Sequence, residues 1–134
     1  AFRFEASRRP WALRKLGQPA SVGPEFVAQK NVGLLSGIAR PAGFRRTVEA
    51  LGARVVAERA FGDHHRFRPR DLAGLSGEAP LWITTEKDAV KLSSWWLKGA
   101  DVRVLCMGLA LAEPESLLRW IEEKLNSRRP LPEQ

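Results

Sequence analysis

The run Val32-Gly33-Leu34-Leu35-Ser36-Gly37-Ile38, followed by Pro41 and then by Arg54-Val55-Val56-Ala57-Glu58-Arg59-Ala60-Phe61, decides the fold of this chain. The first run is apolar and short, as a buried strand is. Pro41 suits a first helical position, Phe44, Val48 and Leu51 recur at helical spacing, and Gly52 is a natural stop. Residues 54–61 then read as the next strand, rich in Val and Ala. Working outward, Arg68-Pro69 opens a short helix through Leu72 and Leu75, and Leu81-Trp82-Ile83-Thr84 is a short buried strand. A helix is predicted from residue 86 to about 92, a strand over 102–107, and a last helix with Pro114 near its start and Leu117, Leu118, Ile121 and Leu125 as its apolar stripe. Strands alternating with helices predict a parallel sheet joined by right-handed crossovers. The fold class is α/β, a small Rossmann-like three-layer sandwich with a mostly parallel sheet.

Residues 1–30 break that rhythm. Phe2, Phe4 and Ala6 alternate with polar residues as a strand or ribbon does, whereas residues 8–29, punctuated by Pro10, Gly17, Pro19, Gly23 and Pro24, read as loop or linker. At 134 residues the chain suits one domain. No apolar run approaches the roughly 18 residues that span a bilayer. The single Cys106, in an apolar strand-like run, reads as a small core residue, with no CxxC metal motif and no sign of an oxidising compartment. A cytoplasmic setting is therefore expected.

Charge is the marked feature of the composition. Lys and Arg number 22 against 15 Asp and Glu, for a net +7 and a pI near 10.5. Arg8-Arg9, Arg45-Arg46, Arg66/Arg68/Arg70 and Arg128-Arg129 cluster. Such a field favours anionic partners: nucleic acid, an acidic membrane surface or a phosphorylated ligand. It equally fits a solvated face of a chain that uses Arg freely.

Two segments carry chemistry. Phe61-Gly62-Asp63-His64-His65-Arg66-Phe67 and Thr84-Thr85-Glu86-Lys87-Asp88-Ala89-Val90-Lys91 each follow a strand directly. Loops at the carboxyl ends of strands are where open α/β sheets bind ligands, so the two point to one shared crevice. Asp63-His64-His65 has three readings. It can supply metal ligands, as in Asp-His-His phosphoesterases, but neighbouring side chains diverge and further Asp residues are needed, for which Asp88 is the nearby candidate. It can present a His that orients or relays a proton to a carboxylate base. Or Asp63 simply caps a turn, with His65 in solvent. In the second segment, Thr85 and Asp88 have the spacing of a capping box. Lys87 does not fit that explanation, because a cation in a first turn opposes the helix dipole unless an anion sits beside it.

Gly37-Ile38-Ala39-Arg40-Pro41-Ala42-Gly43-Phe44, then Asp63-His64, then Thr85-Glu86-Lys87-Asp88-Ala89-Val90-Lys91 resemble, in order and spacing, the C-terminal domain of the tetraacyldisaccharide 4'-kinases, over about residues 31–127. The resemblance implies an ATP-dependent, Mg-requiring enzyme that phosphorylates the 4'-hydroxyl of the lipid A disaccharide 1-phosphate precursor. It also implies two α/β domains joined by a hinge, at the cytoplasmic face of the bacterial inner membrane with its anionic lipids. The family's phosphate-binding loop, GxxxxGK[ST], is missing here, and the nearest glycine spacing, Gly33 to Gly37, lacks the Lys. The resemblance is thus to the C-terminal part alone, with residues 1–30 a hinge remnant or linker, 31–127 the α/β domain and 128–134 a basic tail. ATP and Mg would be held mainly by an N-terminal P-loop domain, the partner of this one, and this fragment alone is expected to be inactive and to bind no metal.

Carried over by motif, His64 orients a carboxylate base contributed by the other domain, and Asp63 fixes the loop or the His64 tautomer. Thr85, Glu86, Lys87 and Asp88 face the substrate and phosphate crevice, while His65 carries no role and the loop buries little. A non-catalytic basic α/β binding module, for nucleic acid or another anion, is the alternative, but the chain lacks interleaved surface aromatics and any nucleic-acid-reading motif.

Overall fold

A computed structural model of the chain describes residues 6–111 and 121–125. Pro10–Met107 form one compact unit, and residues on both flanks a second. Six strands make one sheet: β1 (Ala6–Lys15), β2 (Ser21–Val22), β3 (Asn31–Ser36), β4 (Arg54–Ala60), β5 (Trp82–Thr85) and β6 (Val102–Leu111), in the order β2-β1-β6-β5-β3-β4. β3 pairs in parallel with β4 and with β5, and β5 with β6, while β1 and β2 are antiparallel. The α/β fold with a mostly parallel sheet is therefore as the sequence pattern predicts.

The sequence explains each layer. β3 is buried along almost its whole length because both its faces are covered, and its side chains sort by parity. Val32 and Leu34 join Leu13, Ile83 and Leu105 on one face, under Phe44 and Val48 of α1 (Pro41–Ala50) and Val27 of a 3-10 turn (Pro24–Val27). Leu35 joins Trp82, Val102 and Val104 on the other, under Leu72, Leu75, Ala89 and Ala100. Each wholly buried Leu, Ile or Val adds about 1.5–3 kcal/mol. Pro41 stands at the first helical position of α1, and Gly52 past its end adopts φ +93, a backbone that suits glycine.

Three local expectations change. Residues 8–15, expected as loop, are strand: β1 buries Ala12, Leu13 and Leu16 follows it into the core, so tertiary pairing overrides the turn-like composition. The helix expected through Leu75 is a 3-10 turn (Pro69–Leu72) and a short helix α2 (Leu75–Glu78), parted by Gly74 at φ +75. The helix expected to reach about residue 92 is a single turn, α3 (Glu86–Ala89), and Val90 beyond it is exposed. Of the last helix, 121–125 are helical with Ile121 and Leu125 exposed. Pro114, Leu117, Leu118, Phe2, Phe4, Arg128 and Arg129 lie outside the described residues. Among the described residues no helix is long and apolar enough to cross a membrane.

Trp82 anchors the sheet. It is wholly buried, its indole Nε1 donates to Leu75 O at 2.8 Å, and its ring lies against Gly33, where an added Cβ would come within 2.6 Å of three ring carbons. Gly33 therefore serves strand packing, lying inside β3 beneath an aromatic ring, whereas Gly37 lies past the strand, where an added Cβ would come within 3.3 Å of His65 and Phe67 in the loop after β4.

Candidate functional site

The site stands at the carboxyl ends of β3, β4 and β5, the edge at which open parallel sheets bind ligands. The ends of β3 and β4 are tied by Phe61 N–H donating to Ser36 O at 2.7 Å. The loop after β4 then turns sharply. His64 adopts φ +63, and its N–H donates to Asp63 Oδ1 at 3.1 Å.

The loops after β4 and β5 converge. Lys87 Nζ donates to Asp63 Oδ1 at 2.9 Å, and Asp63 Oδ2 lies 3.5 Å from His64 Nε2. The bond from Lys87 is the largest of the influences that hold the Asp63 carboxyl below its ordinary value; partial burial opposes it, and the nearby His64 and Lys87 charges add to it. The anion that the misplaced first-turn cation calls for is thus present within the chain itself. His64 presents its imidazole outward, 81% exposed, free to meet a group brought to it.

The other residues expected to face the crevice take different places. Thr85 Oγ1 accepts from Asp88 N–H at 3.1 Å, the predicted cap, and its hydroxyl donates to Asp88 Oδ2 at 2.9 Å. Asp88 is wholly buried, and Oδ2 also accepts Gly37 N–H at 2.9 Å, across 51 positions of chain. Its Oδ1 has no hydrogen-bond partner among the described residues. Asp88 thus joins the end of β3 to the start of α3 and does not reach the Asp63-His64 loop surface. Glu86 Oε1 accepts Met107 N–H at 3.0 Å, turned toward β6. Lys87, by contrast, bonds to the Asp63-His64 loop.

His65 differs most from expectation. Its ring stacks on Phe61 with centroids 4.3 Å apart, meets Phe67 edge-on at 4.9 Å, and donates from Nε2 to Asp71 Oδ2 at 3.0 Å. It is 29% exposed, so the expectation of a solvent-facing side chain in a loop that buries little is corrected. Asp71 Oδ2 also accepts Arg68 N–H at 2.9 Å, closing a capping box on the 3-10 turn. Burial raises the Asp71 carboxyl, but the bonds from His65 and Arg68 N–H with the charges of His65 and Arg70 outweigh it, and the net shift is downward. The aromatic spacing Phe61, His65, Phe67 and an acid three residues after Arg68 were the signals that could have revealed this cluster. Arg66, Arg68 and Arg70 keep exposed side chains around it.

A metal reading requires several acidic or imidazole groups to converge. His65 is directed to Asp71, Asp63 to Lys87, and Asp88 is buried elsewhere. Among the described residues no three His, Cys, Asp or Glu side chains gather as ligands. Asp63 Oδ1 is engaged by Lys87, and Asp88 is buried with its Oδ2 engaged by Gly37 and Thr85.

A family model described as tetraacyldisaccharide-1-P 4'-kinase, LpxK, matches residues 3–126. Relatives named tetraacyldisaccharide 4'-kinase include one from Anaeromyxobacter sp. (strain K), 51% identical over 123 residues, covering 75% of this chain and 31% of the relative. One from Anaeromyxobacter dehalogenans is 49% identical over 98 residues, covering 69% and 24%. One from Methylobacterium nodulans is 38% identical over 124 residues, covering 90% and 35%. The chain thus spans about a quarter to a third of the length of these relatives. A crystal structure of the "apo" form of LpxK from Aquifex aeolicus, in complex with ATP, superposes with a TM-score of 0.65 at 25% identity, covering 90% of this chain and 35% of that one. With the matched span and these relatives in agreement, the chain belongs to the tetraacyldisaccharide-1-P 4'-kinase family.

Proposed function

We propose that this chain is the C-terminal portion of a lipid A 4'-kinase, and that it presents His64 to the 4'-hydroxyl of the disaccharide 1-phosphate precursor. The observation that carries the reading is the convergence of two strand-end loops through the 2.9 Å Lys87–Asp63 bond, with an exposed imidazole at its side. Phosphoryl transfer is largely positioning and charge stabilisation. In this reading His64 orients a carboxylate base supplied from outside the chain, and Asp63 steadies His64 through the backbone bond at 3.1 Å. ATP and Mg belong to an N-terminal domain with a GxxxxGK[ST] loop, a motif this sequence does not carry. The +7 charge suits a phosphorylated lipid and the anionic cytoplasmic face of the inner membrane.

The test is a steady-state assay of the full-length kinase that carries this chain, with ATP and the disaccharide 1-phosphate. His64→Ala lowers kcat by about 10² to 10⁴-fold with KM little changed, the range for acid–base partners. A kcat at the wild-type level in His64→Ala removes the assignment. Salt-dependent binding to DNA with no response to the lipid precursor favours a basic binding module instead.

A further inference from the structure

We infer that Lys87 is a positioning residue: its ammonium pins the Asp63 carboxylate from the far side of β3, and so fixes where His64 presents its imidazole. The inference rests on the role of His64 proposed above.

β4 and β5 are not neighbours; β3 lies between them in the sheet. A side chain from the start of α3 must therefore reach across a strand end to hold the loop after β4, and Lys87 does so at 2.9 Å. The same Asp63 Oδ1 accepts His64 N–H at 3.1 Å, while Oδ2 stands 3.5 Å from the His64 ring. One carboxylate thus touches both the backbone and the imidazole of His64, and Lys87 holds that carboxylate.

His64 needs holding. Its φ of +63 is the left-handed region, which is unfavourable for a residue with a Cβ. Its ring is 81% exposed, so little packing fixes it. Lys87, by contrast, has a fixed base. Thr85 caps the turn on one side of it, and the buried Asp88 bonds Gly37 N–H on the other. An ion pair this exposed contributes little to stability, so its effect falls on geometry rather than on folding. The downward shift of the Asp63 carboxyl follows from the same contact, with His64 the other charged neighbour.

The experiment compares Lys87→Met and Lys87→Arg. In the 134-residue chain, carboxyl carbon NMR follows the titration of Asp63. Lys87→Met moves its midpoint up toward the ordinary value of 3.8, while Lys87→Arg keeps it low. In the full-length kinase, Lys87→Met lowers kcat about 10-fold with KM for the lipid unchanged, and Lys87→Arg recovers most of the rate. That loss vanishes when His64→Ala is already present, because Lys87 acts through His64. An unmoved Asp63 titration in Lys87→Met overturns the tether. A raised KM with kcat retained overturns the positioning role, since Lys87 would then hold ligand directly. A wild-type kcat in His64→Ala alone removes the His64 reading, and with it the catalytic half of the inference, whatever the Asp63 titration returns.

Discussion

His64 and His65 are adjacent in sequence and have opposite surroundings, which separates what their substitutions do. His64 meets solvent and one carboxylate, whereas His65 is wedged between Phe61 and Phe67 and bonded to Asp71. His65→Ala therefore lowers stability by about 1–3 kcal/mol, through lost stacking and one lost hydrogen bond to Asp71, read as a lower Tm. Asp71 gives that cluster a pH dependence. Its folded carboxyl titrates below the ordinary value, so its contribution is complete above about pH 4 and is lost as pH falls through the lower folded value. Melting curves taken between about pH 6 and 2 show a shallower acid-side fall in Asp71→Asn than in the wild type; equal slopes contradict the assignment. That the Asp63-His64 loop and Lys87 lie at one edge of the sheet was legible in the sequence, because each follows a strand directly; the bond between Lys87 and Asp63 was not. The place of His65 was not, because stacking between Phe61 and Phe67 depends on how the loop folds back on itself.

Among the elements, β3 carries the most constraint. Gly33 lies under the wholly buried Trp82, whose indole is anchored on Leu75 O, so the ring has nowhere to move. Gly33→Ala places a Cβ within 2.6 Å of that ring and costs about 1–3 kcal/mol, the range for overpacking, measured by urea unfolding. An unchanged midpoint would mean that β3 and β5 can part more easily than their register implies. The β3-α1-β4 unit was readable because its period switches from strand to helix and back, with Pro41 and Gly52 marking the helix ends. β1 was not readable. Its Pro10 suggests loop, yet β2 pairs only with Leu13 and Arg14, so on that side Pro10 has no ladder bond to forgo. Its place in the sheet comes from β6, some ninety positions away in sequence. The lengths of α3 and α2 were overestimated because periodicity cannot see where a chain must turn back to reach the sheet.

At the scale of the whole molecule, the absence of a GxxxxGK[ST] loop from this sequence leads to one expectation. Calorimetric titration of the isolated chain with MgATP shows no micromolar binding, and adding the lipid precursor produces no turnover; either signal would place nucleotide binding within these residues. The fold class was open to sequence reading because it depends on the alternation of elements, a whole-chain property. The junction that holds the site together was not, because it joins residues far apart along the chain. Gly37 and Asp88 are its clearest case: an amide of β3's exit loop is held by a buried carboxylate 51 positions away, not by the sheet ladder. That proton can be traded for deuterium only when the two segments separate. Its exchange half-life is therefore a clock for the opening of this edge of the sheet, readable at a single resonance without substrate, nucleotide or partner domain.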